Sequence, residues 1–309
     1  MKLFWAMEPV RKSIPPPVFV PSVGPARVAI SAVAGGRTIA SGELLRRAQT
    51  ASVSRMDLTV AKQGLAGAYF APRSGSPGPA VLQLGGSGGS YGYLPAALLA
   101  SRGYPTLSLA YFKEPGLPKT LKNIPLEYFA KALRWLAAQP GVDPNRVLVY
   151  GASRGGEAAL LIGATYPDLV HGVIACTPSA DVNGAYPGPG YAWTFGGQPI
   201  PYAEPIPVWR IAGPVLAFGG GKDLIWRSGF YVTEIAQRAR EHGRPDIVGR
   251  IYPKAGHGVG FGIPNIPISG RVIRVGSIYV GIGGTPAANA RAWAASWPLV
   301  LRFIRTMPY

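Results

Sequence analysis

From Ser52 to the C-terminus, short β-branched apolar runs alternate with longer segments whose apolar residues recur at helical spacing. No other feature limits the fold as much. The runs "GPAVLQLGG", "YPTLSLAYF", "RVLVYGAS", "VHGVIACTP", "GPVLAFGGGKD" and "DIVGRIYPKAGHG" read as buried strands, most of them closing in glycine or a loop. Between and after them "LPAALLASRG", "IPLEYFAKALRWLAAQPG", "GGEAALLIGATYP", "FYVTEIAQRAREHG" and "TPAANARAWAASWPLVLRFI" read as helices. Gly103 is expected as a C-cap, Pro125 in a first turn, Thr285 as an N-cap with Pro286 behind it, and Pro298 as a kink. "VSRMDLTV" and "LAGAYFAP" read as a leading hairpin. Strands joined through helices require a mostly parallel, doubly wound α/β sheet, with ligands at the carboxyl ends of the strands.

Residues 1–55 differ. They are Pro-rich and then strand-like, too short for a complete sandwich of about 100 residues. The expected division is a β segment over 1–55 and a catalytic domain over 56–309, with no internal repeat. The single cysteine, Cys176, excludes a disulfide framework, and three histidines in all make a Cys/His zinc site a poor expectation. No run reaches the roughly 18 apolar residues of a membrane span, and the apolar start before Glu8 is too short for a signal-peptide core, so a cytoplasmic location is expected. The net charge of +17 favours anionic partners, but the positives are scattered and no nucleic-acid-binding motif is present.

Two stretches carry Gly-x-Ser-x-Gly: Gly151-x-Ser153-x-Gly155 and Gly85-x-Ser87-x-Gly89. With 42 glycines in the chain, the pattern alone decides little. Ser153 stands between a strand and a helix, the setting of a nucleophile elbow, where flanking glycines permit a sharp turn and the helix N-terminus favours developing negative charge. Ser87 lies in a glycine run after an earlier strand. Such a loop can offer a backbone N–H to an oxyanion, so Gly86 or Ser87, with Arg154, are the expected donors. A plain flexible loop is the alternative.

A serine nucleophile needs a base and an orienting acid. His171 opens an apolar strand and His242 ends a helix, both structural positions, whereas His257 lies in a glycine-rich loop after a late strand. Asp223 follows another strand between serine and histidine; Asp181 is the next candidate, and Asp246 begins a strand rather than ending one. The order Ser153, Asp223, His257 is that of α/β-hydrolases.

With these residues in place, the chain resembles the acyl-CoA thioesterase / bile acid-CoA:amino acid N-acyltransferase family. The similarity runs from about Ser52 to Ile304 through "LASRGYPTLSLAYF", "GLPKTLKNIPLEYFAKAL", "GASRGGEAAL", "GGGKDLIWRSGFYVTEIAQRAREHGRP" and "YPKAGHGV". The resemblance implies an α/β-hydrolase domain behind a small immunoglobulin-like β domain. It also implies action on acyl-CoA thioesters, with nucleophile, acid and base on Ser153, Asp223 and His257. Coenzyme A enters as part of the substrate, and no separate cofactor or metal is expected. Against the family pattern the N-terminal β domain reads as cut short, and the segment 180–210 is shorter. Hydrolysis is the leading expectation; transfer to an amine, ester or lactone hydrolysis, and non-catalytic binding of CoA or a polyanion stay open.

Overall fold

The computed structural model describes residues 2–10, 23–89, 92–268, 272–275 and 278–307. The chain opens with a short helix α1 (Lys2–Trp5); most of the Pro-rich stretch that follows lies outside the described residues. Strands β1 (Ala26–Ala34) and β2 (Arg37–Arg46) then form a separate antiparallel hairpin, solvent-exposed along nearly all its length.

The main sheet begins with β3 (Val53–Leu58), the short helix α2 (Val60–Gln63) and β4 (Ala66–Pro72), and continues through β5 (Gly78–Leu84), α3 (Tyr93–Ala100) and β6 (Thr106–Ala110). All six residues of β3 pair with β4, so a boundary at 55/56 divides a strand. Next come β7 (Ile124–Pro125), α4 (Leu126–Ala137), β8 (Val142–Ala152), α5 (Arg154–Thr165) and β9 (Gly172–Cys176). The segment without a clear sequence period contains β10 (Trp193–Phe195) and β11 (Gln198–Pro199), which join β7 in a small sheet. The chain closes with β12 (Val215–Gly220), α6 (Ser228–Glu241), β13 (Ile247–Tyr252), the hairpin β14 (Val272–Val275) and β15 (Ile278–Gly281), and α7 (Pro286–Arg305).

The large sheet has eight strands in the order β13-β12-β9-β8-β5-β6-β4-β3. Only the β3/β4 and β4/β6 pairs are antiparallel. This is the mostly parallel, doubly wound sheet that the alternating sequence requires. Successive strand residues feed opposite faces. Leu82, Leu84, Val147, Val149, Val173, Val215 and Ala217 pack into one core with α4, α5 and α6. Val81, Leu148, Tyr150, Ile174, Cys176, Leu216 and Phe218 pack into a second core with α3 and α7.

Local expectations hold with small corrections. Thr285 caps α7, its Oγ1 accepting from Ala288 N at 3.1 Å, and Pro286 is the first helical residue. Pro298 lies inside α7 without ending it, and Trp293, Trp297 and Ile304 are buried on its inner face. Pro125 is not in the first turn of α4 but is its N-cap, with extended ψ of 131°. The proline ring fixes φ, here −74°, and leaves ψ free to take the extended value of an N-cap. The C-cap of α3 is Ser101, and Gly103 supplies the left-handed residue beyond it, at φ 93°. Among the described residues no helix is long and apolar enough to cross a membrane.

Candidate active site

Ser153 ends the turn from the central strand β8 into α5 and sits at φ 56°, ψ −121°. A non-glycine residue in that region is strained, and it is held there by its surroundings. A Cβ on Gly151 would lie 1.9 Å from the Gly155 carbonyl oxygen, and one on Gly155 would lie 2.3 Å from that of Gly85. Both glycines are therefore required by backbone-to-backbone contact. The Ser153 N–H donates to Cys176 O at 2.8 Å, which pins the turn to the neighbouring strand.

The glycine-rich loop after β5 lies against this turn. A Cβ on Gly86 would be 3.1 Å from Ser153 Cβ and 3.6 Å from its Oγ. Among the described residues the N–H groups of Gly86, Ser87 and Arg154 have no backbone acceptor. For Arg154 this follows from its place at the start of a helix, where no preceding turn can accept. Tyr111 steadies the loop from below, its hydroxyl donating to Gly85 O at 2.7 Å. Burial pushes the Tyr111 phenol well above its ordinary value, so it remains a neutral donor.

His257 and Asp223 meet at the ends of the last strands. The imidazole Nδ1 lies 2.8 Å from Asp223 Oδ2, with the Asp223 side chain fully buried and that of His257 7% exposed. The other carboxylate oxygen accepts from Ile225 N at 2.9 Å. Ser228, the first residue of α6, donates its hydroxyl to Asp223 Oδ2 at 2.5 Å and accepts from Gly220 N at 3.1 Å. The histidine loop rests on α7 and the turn before it: His257 N donates to Ile282 O at 2.6 Å, and buried Asn289 of α7 accepts from Gly256 N at 2.8 Å. The Trp226 ring stands edge-on to the imidazole, centroids 6.1 Å apart. His257 Nε2 is buried and makes no hydrogen bond, so its contact with the Ser153 hydroxyl is not made in this conformation.

Ser87, Ser153, Arg154, Asn183, Gly184, Ala185, Tyr186, Ile225 and Trp226 line a cleft of about 280 Å³. Both serines of the two motifs thus face one space. The rival residues are engaged elsewhere. His171 Nδ1 accepts from Val147 N at 3.3 Å, His242 stacks on Trp209 with centroids 3.9 Å apart, and Asp181 and Asp246 pair with Arg238 and Arg244. Among the described residues no group of three or more His, Cys, Asp or Glu side chains could hold a metal ion.

One buried cluster carried no signal in the sequence beyond its place in the elbow helix. Glu157, fully buried, accepts from Arg154 Nη1 at 2.6 Å, from Asn183 N and Nδ2 at 2.9 Å each, and from Trp193 Nε1 at 2.8 Å. Burial raises the Glu157 carboxyl, and Arg154 and the other donors pull it back. The second nitrogen of the Arg154 guanidinium donates to Asn183 O and Gly184 O at 3.1 and 2.9 Å. The helix behind Ser153 and the wall of the cleft are thereby one unit.

A model of the BAAT / acyl-CoA thioester hydrolase C-terminal family matches residues 124–186 and 192–307. The chain belongs to that family. Human mitochondrial acyl-coenzyme A thioesterase 2 is 31% identical over 265 residues, covering 77% of this chain and 54% of the relative. Human acyl-coenzyme A thioesterase 1 is equally identical over the same share of this chain, with 62% of its own length covered. The chain thus spans between half and two thirds of these two relatives. Mouse acyl-coenzyme A thioesterase 5 is 29% identical, with 98% of this chain and 78% of the relative covered. Among solved structures, a putative dienelactone hydrolase from Klebsiella pneumoniae superposes with a TM-score of 0.56 at 16% identity, covering 82% of this chain and 99% of that one. A Pyrobaculum calidifontis esterase gives 0.51 at 18% identity, covering 82% and 86%. The fold is that of the α/β-hydrolases.

Proposed function

We propose that this family member is a serine hydrolase that cleaves acyl-CoA thioesters to free acid and CoA through Ser153, His257 and Asp223. The observation that carries the reading is the His257–Asp223 hydrogen bond beside a strained serine whose turn admits no side chain at Gly151 or Gly155. The names of the relatives supply the substrate class.

Asp223 holds the imidazole by Nδ1, which leaves Nε2 to act as base. That nitrogen is the one without a partner here, and substrate binding closes the gap to Ser153, as catalytic hydrogen bonds in free enzymes commonly tighten on binding. Nε2 takes the hydroxyl proton as Oγ attacks the thioester carbonyl. The oxyanion is held by the N–H of Gly86 or Ser87 and that of Arg154. The C–S bond breaks, the CoA sulfur leaves with the proton from His257, and an acyl-serine remains. Water then gives its proton to His257 and its oxygen to the carbonyl, releasing the acid and restoring Ser153. An acyl-serine is an oxygen ester, a poorer donor to amines than a thioester, which favours water over an amine as acceptor. Every group in this scheme is a side chain or backbone amide, so it calls for no metal or separate cofactor. The division into a β segment and a catalytic domain, and the cytoplasmic location, belong to the same proposal.

The test is thiol release from acyl-CoAs of graded chain length, with and without glycine or taurine, with the products identified. Free acid is expected. An amide product would move the chain to the acyltransferases, and cleavage of p-nitrophenyl esters with inert acyl-CoAs would make it an esterase. Ser153→Ala is expected to lose at least ~10³-fold in kcat; turnover near that of the parent would remove Ser153 from the mechanism.

A further inference from the structure

We propose that the nucleotide end of coenzyme A docks outside the cleft, on the wall formed by Lys122, Tyr191 and Tyr202. This rests on the acyl-CoA reading and extends it to the part of the substrate that the cleft does not hold. At about 280 Å³ the cleft lies just below the ~300–1,000 Å³ of pockets that hold drug-sized ligands, and coenzyme A is larger than those. The thioester end fills the cleft and the adenosine phosphates remain at its rim.

The wall is built, not loose. Leu121 and Tyr186 exchange backbone hydrogen bonds at 3.1 and 2.9 Å, and Asn123 N donates to Tyr191 O at 2.9 Å. Lys122 is therefore fixed between two residues of the wall, and a Cβ on Gly190 would lie 3.4 Å from its Nζ. Tyr202 is placed by the bond from Ala203 N to Val182 O, 2.8 Å. Its ring would touch a Cβ on Gly184 at 3.8 Å, and Gly184 itself lines the cleft. The rings of Tyr191 and Tyr202 lie 5.9 Å apart and are 39% and 57% exposed. In the glycine-rich loop that brings Ser87 to the cleft, Lys113 Nζ donates to Gly88 O at 2.7 Å.

The chemistry of this rim matches a phosphorylated adenine nucleotide. Exposed aromatic faces stack on a base without regard to its sequence-reading edge. Lysine binds phosphate as a point charge with three donors. Residues 113–123 and 183–202 together hold three lysines, Lys113, Lys119 and Lys122, against one acid, Glu114. The base rests on the two tyrosines and the phosphates lie toward Lys122.

The experiment compares kcat/KM for an acyl-CoA with that for the same acyl group on pantetheine, and measures the binding of adenosine 3′,5′-bisphosphate by calorimetry. The parent protein is expected to favour the CoA ester. Lys122→Glu is expected to lower the CoA-to-pantetheine ratio about tenfold, ~1.4 kcal/mol, and to weaken nucleotide binding by a similar factor. Replacing Tyr191 and Tyr202 by Ala is expected to act in the same direction, about tenfold. A parent that favours the CoA ester, with a ratio unchanged in these variants, would overturn the proposed wall while leaving the thioesterase reading intact. A parent inactive on both esters that still binds the nucleotide through Lys122 would remove the thioesterase reading and keep the wall. Inactivity with no nucleotide binding would overturn both.

Discussion

Replacing Glu157 by Ala tests the claim that the elbow helix and the cleft wall are held as one unit. The carboxylate is fully buried, and the Arg154 side chain it pairs with is 6% exposed. Breaking such a pair from one side leaves a buried charge without its partner, at a cost of roughly 3–5 kcal/mol. Three further donors, Asn183 N and Nδ2 and Trp193 Nε1, lose their acceptor. Each orphaned buried donor costs ~1–3 kcal/mol, and terms within one network do not add. Water entering through the cleft, which Arg154 and Asn183 both line, relieves part of this. The expected net loss is ~4 kcal/mol, a large share of the ~5–15 kcal/mol that keeps a domain folded. Denaturant titration reads it as a lower midpoint at unchanged slope. The double variant Arg154→Met, Glu157→Leu removes both charges and is expected to be more stable than Glu157→Ala alone. A loss under ~1 kcal/mol in the single variant, the range of an exposed pair, would refute the reasoning.

Three further outcomes follow from the same geometry. Ser228→Ala removes one of two hydrogen bonds to Asp223 Oδ2; part of the ~1.5–3 kcal/mol of a bond to a charged group is then lost, so kcat is expected to fall about tenfold at constant KM, with Ser228→Thr recovering activity, and an unchanged kcat would contradict it. Cys176 is wholly buried and burial raises its thiol, so a disulfide reagent is expected to find no thiol in the native protein and one after denaturation; fast native labelling would show the core opening. Asp246 is held below its ordinary value of 3.8, first by the hydrogen bond from Arg244, so its contribution is present above that pH and is lost as the pH falls through the depressed value. Asp246→Asn is accordingly expected to lower stability at pH 6, with the gap to the parent narrowing as the pH falls below 3.8, and a gap that widens on acidification would reverse the assignment.

The strands of the main sheet were legible because buried parallel strands are continuous apolar runs, as in "VLVYG" and "VIAC". The elbow was legible for a different reason: a turn that brings two backbones within contact leaves no room for side chains, and glycine at 151 and 155 records this. Asp223 and His257 could be picked out because each follows a strand at the rim where ligands bind. Glu157 could not be, since its acceptor role depends on Asn183 and Trp193, 26 and 36 residues away in the chain. The small sheet containing β10 and β11 also left no trace, because strands of three and two residues are too short to show a period. The β14–β15 hairpin was likewise obscured, its two strands being only four residues each. The hairpin of β1 and β2 was legible as strand, but not its isolation from the main sheet, which only pairing reveals.

The crowding around Ser153 has an evolutionary corollary. With carbonyl oxygens 1.9 and 2.3 Å from any methyl group added at positions 151 and 155, neither glycine flanking the turn can take a side chain without moving the backbone. Under the proposed reading, diversification of acyl preference is thereby channelled into the loops that line the cleft, Asn183 to Tyr186 and Ile225 to Trp226, where change can reshape what is accepted without touching the turn.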